Sequence, residues 1–219
     1  MGIGENFSES FEYTKEALVG KWKRWVLLII IGIIPIVDFI LLGYNVQVLR
    51  GIKPAPELEN YTKLFVDGLL YMIISIIWMI PAIIVGVVLV GGSAFALIIS
   101  PETMGMAALT GLMIGFLIIL IVSFILGLFA TVGFVRFART EKFGEAFAFG
   151  EIKDTISKIG WANYIIALIA ANIVVGIVMV ILMIIPIIGW PILFFILLPF
   201  ISIFSARYIS NLYDSAGTV

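Results

Sequence analysis

The sequence predicts an all-α integral membrane protein: a bundle of four spans plus an N-terminal helical hairpin, re-entrant or Pro-kinked, two interfacial amphipathic helices, and a weak internal duplication. Three observations predict it. The chain of 219 residues is 63% hydrophobic and 12% charged, with a mean hydropathy of +1.23, whereas soluble domains carry about 25% charged residues. Runs of about 20 apolar residues recur, long enough to cross a hydrocarbon core of about 30 Å. The 13 Lys and Arg residues gather at Lys15 to Arg24, Arg50 to Lys63, Arg136 to Lys158 and Arg207, leaving the long apolar runs without positive charge. A single polytopic domain over residues 1–219 is expected, with no room for a second, water-soluble one.

Residues 5–24 open the chain as an interfacial helix. Phe7, Phe11, Leu18, Trp22 and Trp25 recur at helical spacing opposite Glu9, Glu12, Lys15, Glu16 and Lys23, so one face would lie on the membrane. Acidic residues ahead of the basic stretch, with no small-x-small site after the first apolar run, argue against a cleavable export signal. Residues 25–50 follow as the hairpin. Arms of about ten and twelve residues on either side of Pro35 would measure roughly 15 and 18 Å, enough to reach mid-bilayer and not to cross it. A hairpin also keeps Lys15 to Arg24 on the same side as the other basic clusters. A single span kinked at Pro35 is the alternative, because proline is tolerated in membrane helices.

Residues 68–90 and 111–137 form the next two spans. Pro81 and Gly91-Gly92-Ser93 predict a kink and then an exit toward the connection Ser100-Pro101-Glu102-Thr103. Residues 143–160 read as the second interfacial helix, with Phe149, Ile152, Ile156 and Ile159 opposite Glu151, Lys153, Asp154 and Lys158. For both amphipathic helices the alternative is packing on neighbouring loops. Residues 162–185 and 191–210 complete the bundle. The connections at Ser100 and at Pro186 to Pro191 carry no positive charge, which puts both outside and both termini in the cytoplasm of a multi-pass cell-membrane protein. The duplication is read from Ile33-Ile34-Pro35-Ile36-Val37-Asp38-Phe39, which returns as Ile184-Ile185-Pro186-Ile187-Ile188-Gly189-Trp190. Phe11-x-Tyr13 also stands as far before Trp25 as Phe147-x-Phe149 stands before Trp161.

The absence of Cys and His from the sequence removes disulfides, thiol nucleophiles, imidazole-bound metals and every Ser-His or Cys-His pair. No catalytic, cofactor-binding or metal residue is assigned, and no cofactor is expected. A net charge of −1 offers nucleic acid no field, so it is not expected as a partner. Asp38 is the one carboxylate well inside an apolar run, hence the candidate ion or proton site. The competing role is to cap the second arm of the hairpin. Gly111 and Gly115, in a stripe with Gly105 and Ala108, suit close helix packing within the chain, and Asn172 suits a hydrogen bond between helices.

A further pattern runs in order along most of the chain: Pro35 and Gly43-Tyr44, then Pro56-Glu57, Leu64-Phe65-Val66-Asp67-Gly68, and finally Ala206-Arg207-Tyr208. In these features the chain resembles the archaeal membrane proteins grouped as domain of unknown function 4013. The family's acidic-aromatic loop stands here as Glu57-Leu58-Glu59-Asn60-Tyr61, without a Trp. The resemblance implies a polytopic membrane protein and brings no activity with it. Its loop motifs suggest a second candidate site, Tyr44, Glu57 and Asp67 at the cytoplasmic mouth of the hairpin, although the plainer reading makes Asp67 a helix-start residue at the entry of the second span.

The function expected from these features is structural: an assembly or membrane-organising subunit that contacts the lipid bilayer and a membrane-protein partner or further copies of itself. A small-solute or ion transporter or channel using the broken helix at Asp38 is the alternative. A membrane-embedded lipid-modifying enzyme is the weakest reading, because it would work without His, Cys or an obvious metal site.

Overall fold

The computed structural model describes residues 2–99, 101–184 and 192–217, apart from the side chains of residues 101–104 and 193–195. The described residues are helical, with no strand among them. The chain forms two compact units, Met1–Ile73 with Thr131–Val219, and Ile74–Ala130.

The first unit opens with α1, Ile3–Leu18. It stops at Val19, which is extended, and Gly20, whose φ of +80° is a conformation that L side chains rarely adopt. Helix α2, Trp22–Ile33, ends where Ile34 turns extended ahead of Pro35, as a residue before proline prefers. A turn with Ile36 at φ +75° leads into α3, Phe39–Leu49. The two helices fold back on each other: a Cβ on Gly32 would lie 3.1 Å from Leu41 Cδ2. Helix α4, Tyr61–Gly86, crosses α3 backbone against backbone at two glycines. A Cβ at Gly43 would fall 1.8 Å from Leu64 O, and one at Gly68 1.8 Å from Phe39 O. No other residue fits either place.

Helix α6, Pro101–Thr140, returns to this unit and is followed by a 3-10 turn at Phe143–Phe147. Then come α7, Phe149–Ile159, and α8, Trp161–Ile184. A π-helical turn, Ile192–Leu197, leads into α9, Leu198–Asp214. Helix α9 is the axis of the unit, packing on α1, α2, α3, α7 and α8. Its buried residues include Ile203, Phe204, Arg207, Tyr208, Ser210 and Asn211.

The second unit holds the far part of α4, a π-helical turn at Val87–Gly91, α5 (Gly92–Ile99) and the first part of α6. A Cβ at Gly111 would lie 2.5 Å from Ser93 Oγ, and one at Gly115 3.2 Å from Leu89 Cβ. These two glycines therefore seat side chains of the preceding helical stretch, within the chain.

Several boundaries differ from those the pattern predicts. Residues 5–24 are two helices broken at Gly20, and 143–160 is a 3-10 turn followed by a helix. The expected exit at Gly91-Gly92-Ser93 is absent, because one π turn absorbs the irregularity and the helix runs on to Ile99. Four spans were expected; among the described residues three helical stretches are long and apolar enough to cross a membrane, Tyr61–Ile99, Gly105–Thr140 and Trp161–Ile184. Helix α9 is also the element on which most of the first unit packs. The second copy of the Ile-Ile-Pro-Ile turn and the expected outer loop at Pro186 to Pro191 lie outside the described residues.

The apolar faces of the two amphipathic helices are taken up inside the protein only in part. Helix α1 buries Asn6, Ser10, Tyr13, Thr14, Ala17 and Leu18. Phe7 rests on Tyr208, ring centroids 4.8 Å apart, and Trp25 stacks on Trp22, leaving Phe11 and Trp22 exposed. Helix α7 buries Ile152 and Ile156 inside the protein, packed against α8 and α9.

Candidate functional site

The charged residues of the first unit form a network that begins with the buried stripe of α1. Asn6 and Ser10, one turn apart, meet the polar side of α9, while Thr14, a turn further on, is buried with its hydroxyl on Ser10 O at 2.7 Å. Asn6 Nδ2 donates to Tyr208 O at 3.1 Å, Asn211 Nδ2 donates to Asn6 Oδ1 at 3.0 Å, and Ser10 Oγ donates to the same oxygen at 3.2 Å. Beside them Arg207 donates from Nη2 to Glu9 Oε1 at 2.8 Å and from Nε to Glu9 Oε2 at 3.2 Å, while its guanidinium lies 4.7 Å from the Tyr13 ring centre. Lys53 adds a third cationic contact to Glu9 at 2.6 Å.

Every arginine in the sequence is held in this way. Arg24 pairs with Glu57 and donates from Nη1 to Ala17 O. Arg50 pairs with Asp67 at 2.7 Å and Glu141 at 3.3 Å, and its Nε donates to Ala138 O. Arg136 pairs with Glu145. Arg139 pairs with Asp214 at 2.7 Å and donates to Leu49 O and Ser210 Oγ. These bonds tie the four basic clusters of the sequence to one another: Lys15–Arg24 to the α3–α4 loop through Glu57, that loop's Arg50 to the end of α6, and α6 to α9.

The candidate residues fall into this frame unevenly. Tyr44 donates to Pro56 O at 3.0 Å and contacts Arg24, so it and Glu57 share one guanidinium. Asp67 belongs to a neighbouring group with Arg50, Glu141 and Lys63. The hydrogen bond from Arg24 holds the Glu57 carboxyl below its usual range, and Lys63, then Arg50, do the same for Glu141. Asp38 occupies the N-cap position of α3, but no side-chain capping bond forms. Its φ of −58° and ψ of −20° are already helical, whereas a residue that caps with its side chain is typically extended. Asn172 donates from Nδ2 to Leu168 O of its own helix at 2.8 Å rather than to a neighbouring helix. Among the described residues no group of three or more acidic side chains could hold a metal ion.

Residues 26–187 match the family described as Protein of unknown function (DUF4013). The chain belongs to that family. No curated protein and no solved structure matches it. The DUF4013 match takes in α2 to α8 and leaves α1 and α9 outside, so the Glu9–Arg207 pair joins the two flanks of the matched region. The Ala206-Arg207-Tyr208 motif likewise lies beyond the matched residues.

Sequence reasoning missed the α1–α9 interface of this DUF4013 protein. Two signals were present: small polar residues at positions 6, 10 and 14, and Arg207 as the lone cation of the last apolar run. A buried arginine needs a carboxylate partner, and Glu9 supplies it from 198 residues away.

Proposed function

We propose that this chain is a non-catalytic structural or assembly subunit of an archaeal cell membrane, with both termini in the cytoplasm, that organises lipid or holds a membrane-protein partner or further copies of itself. The observation that carries this reading is the pairing of all five arginines with carboxylates of the same chain. The strongest cationic groups are spent on fastening helices together, so none is left to draw an anionic substrate. In this reading α2 and α3, of 12 and 11 residues, form a re-entrant hairpin. At about 1.5 Å per residue they reach roughly half of a hydrocarbon core of about 30 Å.

Gentle detergent extraction from the native membrane, followed by mass and composition of the particle, tests the proposal. A stoichiometric partner or a defined homo-oligomer is expected. A monomer that carries solute flux in liposomes would replace it with the second reading, a small-solute or ion transporter or channel. That reading rests on Asp38, whose carboxylate makes no hydrogen bond or ion pair with a described residue. Asp38→Asn should abolish such flux if the transporter reading holds and leave particle assembly intact if the scaffold reading holds.

A further inference from the structure

We infer that the first unit carries a binding site for an uncharged, hydroxylated glycerol-like unit, in a cavity between α3, α4, α6 and α9 one to two helical turns inside the arginine network. The cavity has a volume of about 290 Å³, and no charged side chain lines it. Its apolar walls include Leu42, Phe134 and Ile209, and its polar groups include Asn45, Ser202 and Ser205. Asn45 carries the argument. Its Oδ1 is buried without a hydrogen-bond partner, and buried side-chain oxygens are nearly always paired with protein, water or ligand. Ser202 spends its proton on Pro199 O at 3.0 Å, which leaves its lone pairs as acceptors. The Ser205 hydroxyl, two residues before Arg207, bonds to no described residue. A cavity lined by serine hydroxyls and by an amide whose oxygen has no partner suits a ligand that brings O–H groups, which both donate and accept. With no charge in the lining, a phosphate or carboxylate would be desolvated there without compensation.

The position of these residues narrows the source. Asn45 precedes Arg50 by five residues, and Ser202 precedes Arg207 by five, so the polar lining lies roughly 3 to 8 Å inward of the guanidinium layer at 1.5 Å per residue. This step rests on the membrane reading above, in which the arginines mark the cytoplasmic interface. That depth is where a lipid's glycerol sits beneath its headgroup. The volume lies at the lower end of ligand pockets, about 300 to 1,000 Å³, and suits a glycerol and the start of one chain. A free polyol shares the chemistry, and the experiment separates the two sources.

The full-length chain is purified in lauryl dimethylamine oxide, a detergent without hydroxyl groups, and titrated with 1-monooleoylglycerol, methyl oleate or glycerol, with binding read by native mass spectrometry and thermal shift. Monooleoylglycerol should bind about tenfold more tightly than methyl oleate, the effect of one or two net hydrogen bonds. Asn45→Leu should erase that preference and Ser205→Ala should weaken it, while Asn172→Leu, outside the cavity, leaves it unchanged. Displacement of monooleoylglycerol by millimolar glycerol would assign the site to a free polyol, and failure of glycerol to compete would assign it to a lipid. Equal binding of the two oleoyl compounds to the wild-type chain overturns the inference and needs no variant that could misfold. Equal binding leaves the assembly role standing, since particle composition is measured separately.

Discussion

Arg207 exposes 1% of its side chain, and Glu9, still 30% exposed, answers it with both carboxylate oxygens. Removing the carboxylate would leave a buried guanidinium unpaired. Glu9→Leu should therefore lower stability by about 2 to 3 kcal/mol, under the roughly 3 to 5 kcal/mol of a fully buried pair because Glu9 keeps contact with water. The double variant Glu9→Leu with Arg207→Met should unfold at a higher temperature than Glu9→Leu alone, as followed by thermal unfolding in detergent. If the double variant is the less stable of the two, the pair acts through more than its charges. Glu57 and Glu141 titrate lower in the folded chain than in the unfolded one, held by Arg24 and by Lys63 with Arg50. Their contribution is complete above the unfolded glutamate value, about 4.3, and drains away as pH falls through the folded values. The melting temperature should hold steady from neutral pH down to that range and fall below it. The double variant Glu57→Gln with Glu141→Gln should start lower at neutral pH and fall less steeply in acid; an acid limb of unchanged slope would show that other carboxylates set it.

At the scale of elements, α3 and α4 meet closely enough for glycine alone. Gly43→Ala and Gly68→Ala each place a methyl 1.8 Å from a backbone oxygen of the facing helix, and backbone has no rotamer to move. Each should prevent recovery of folded chain from detergent, whereas Gly127→Ala, with nothing within 4 Å of its added Cβ, should be neutral to about 0.5 kcal/mol. Fluorescence-detected size exclusion separates these outcomes, and a monodisperse Gly43→Ala peak would mean that α3 and α4 can part without loss of the fold. Helix α1 teaches a different lesson. Its Phe7 and Phe11 stripe was legible as a hydrophobic face, yet the side it buries carries Asn6, Ser10 and Thr14 along with Tyr13, Ala17 and Leu18. Reading polarity as exposure fails where the neighbour is polar too, and nothing in residues 3 to 18 announces that Asn211 and Arg207 will stand opposite. Gly91-Gly92 misled for a related reason: two glycines mark a departure from regular helix, but whether the chain leaves or takes a π turn depends on what packs around it.

For the whole molecule, the hydrogen bonds that join all four basic clusters predict one-sided exposure. The chain has no native cysteine, so single replacements report cleanly. Ser10 is fully buried and would resist labelling whatever its side, whereas Glu12 and Lys153 are exposed. Glu12→Cys and Lys153→Cys should both resist an impermeant maleimide on intact cells and both react after lysis; labelling of only one from outside would break the shared sidedness. The sequence by itself determined the helical class, the apolar stretches within Tyr61–Ile99, Gly105–Thr140 and Trp161–Ile184, the break at Pro35, and the gathering of cations at a few places. These follow from composition and local periodicity, because lipid demands apolar length and Ile34, ahead of Pro35, is pushed out of the helical region. Only the tertiary structure decided that α9 packs on five other helices, that α1 lies on it through polar as well as aromatic side chains, and that the Asp38 side chain makes no capping bond. Each of these depends on pairings such as Glu9 with Arg207 or Leu49 with Arg139. Their free energy comes from desolvated partners far apart in the chain, and no local window of residues contains both.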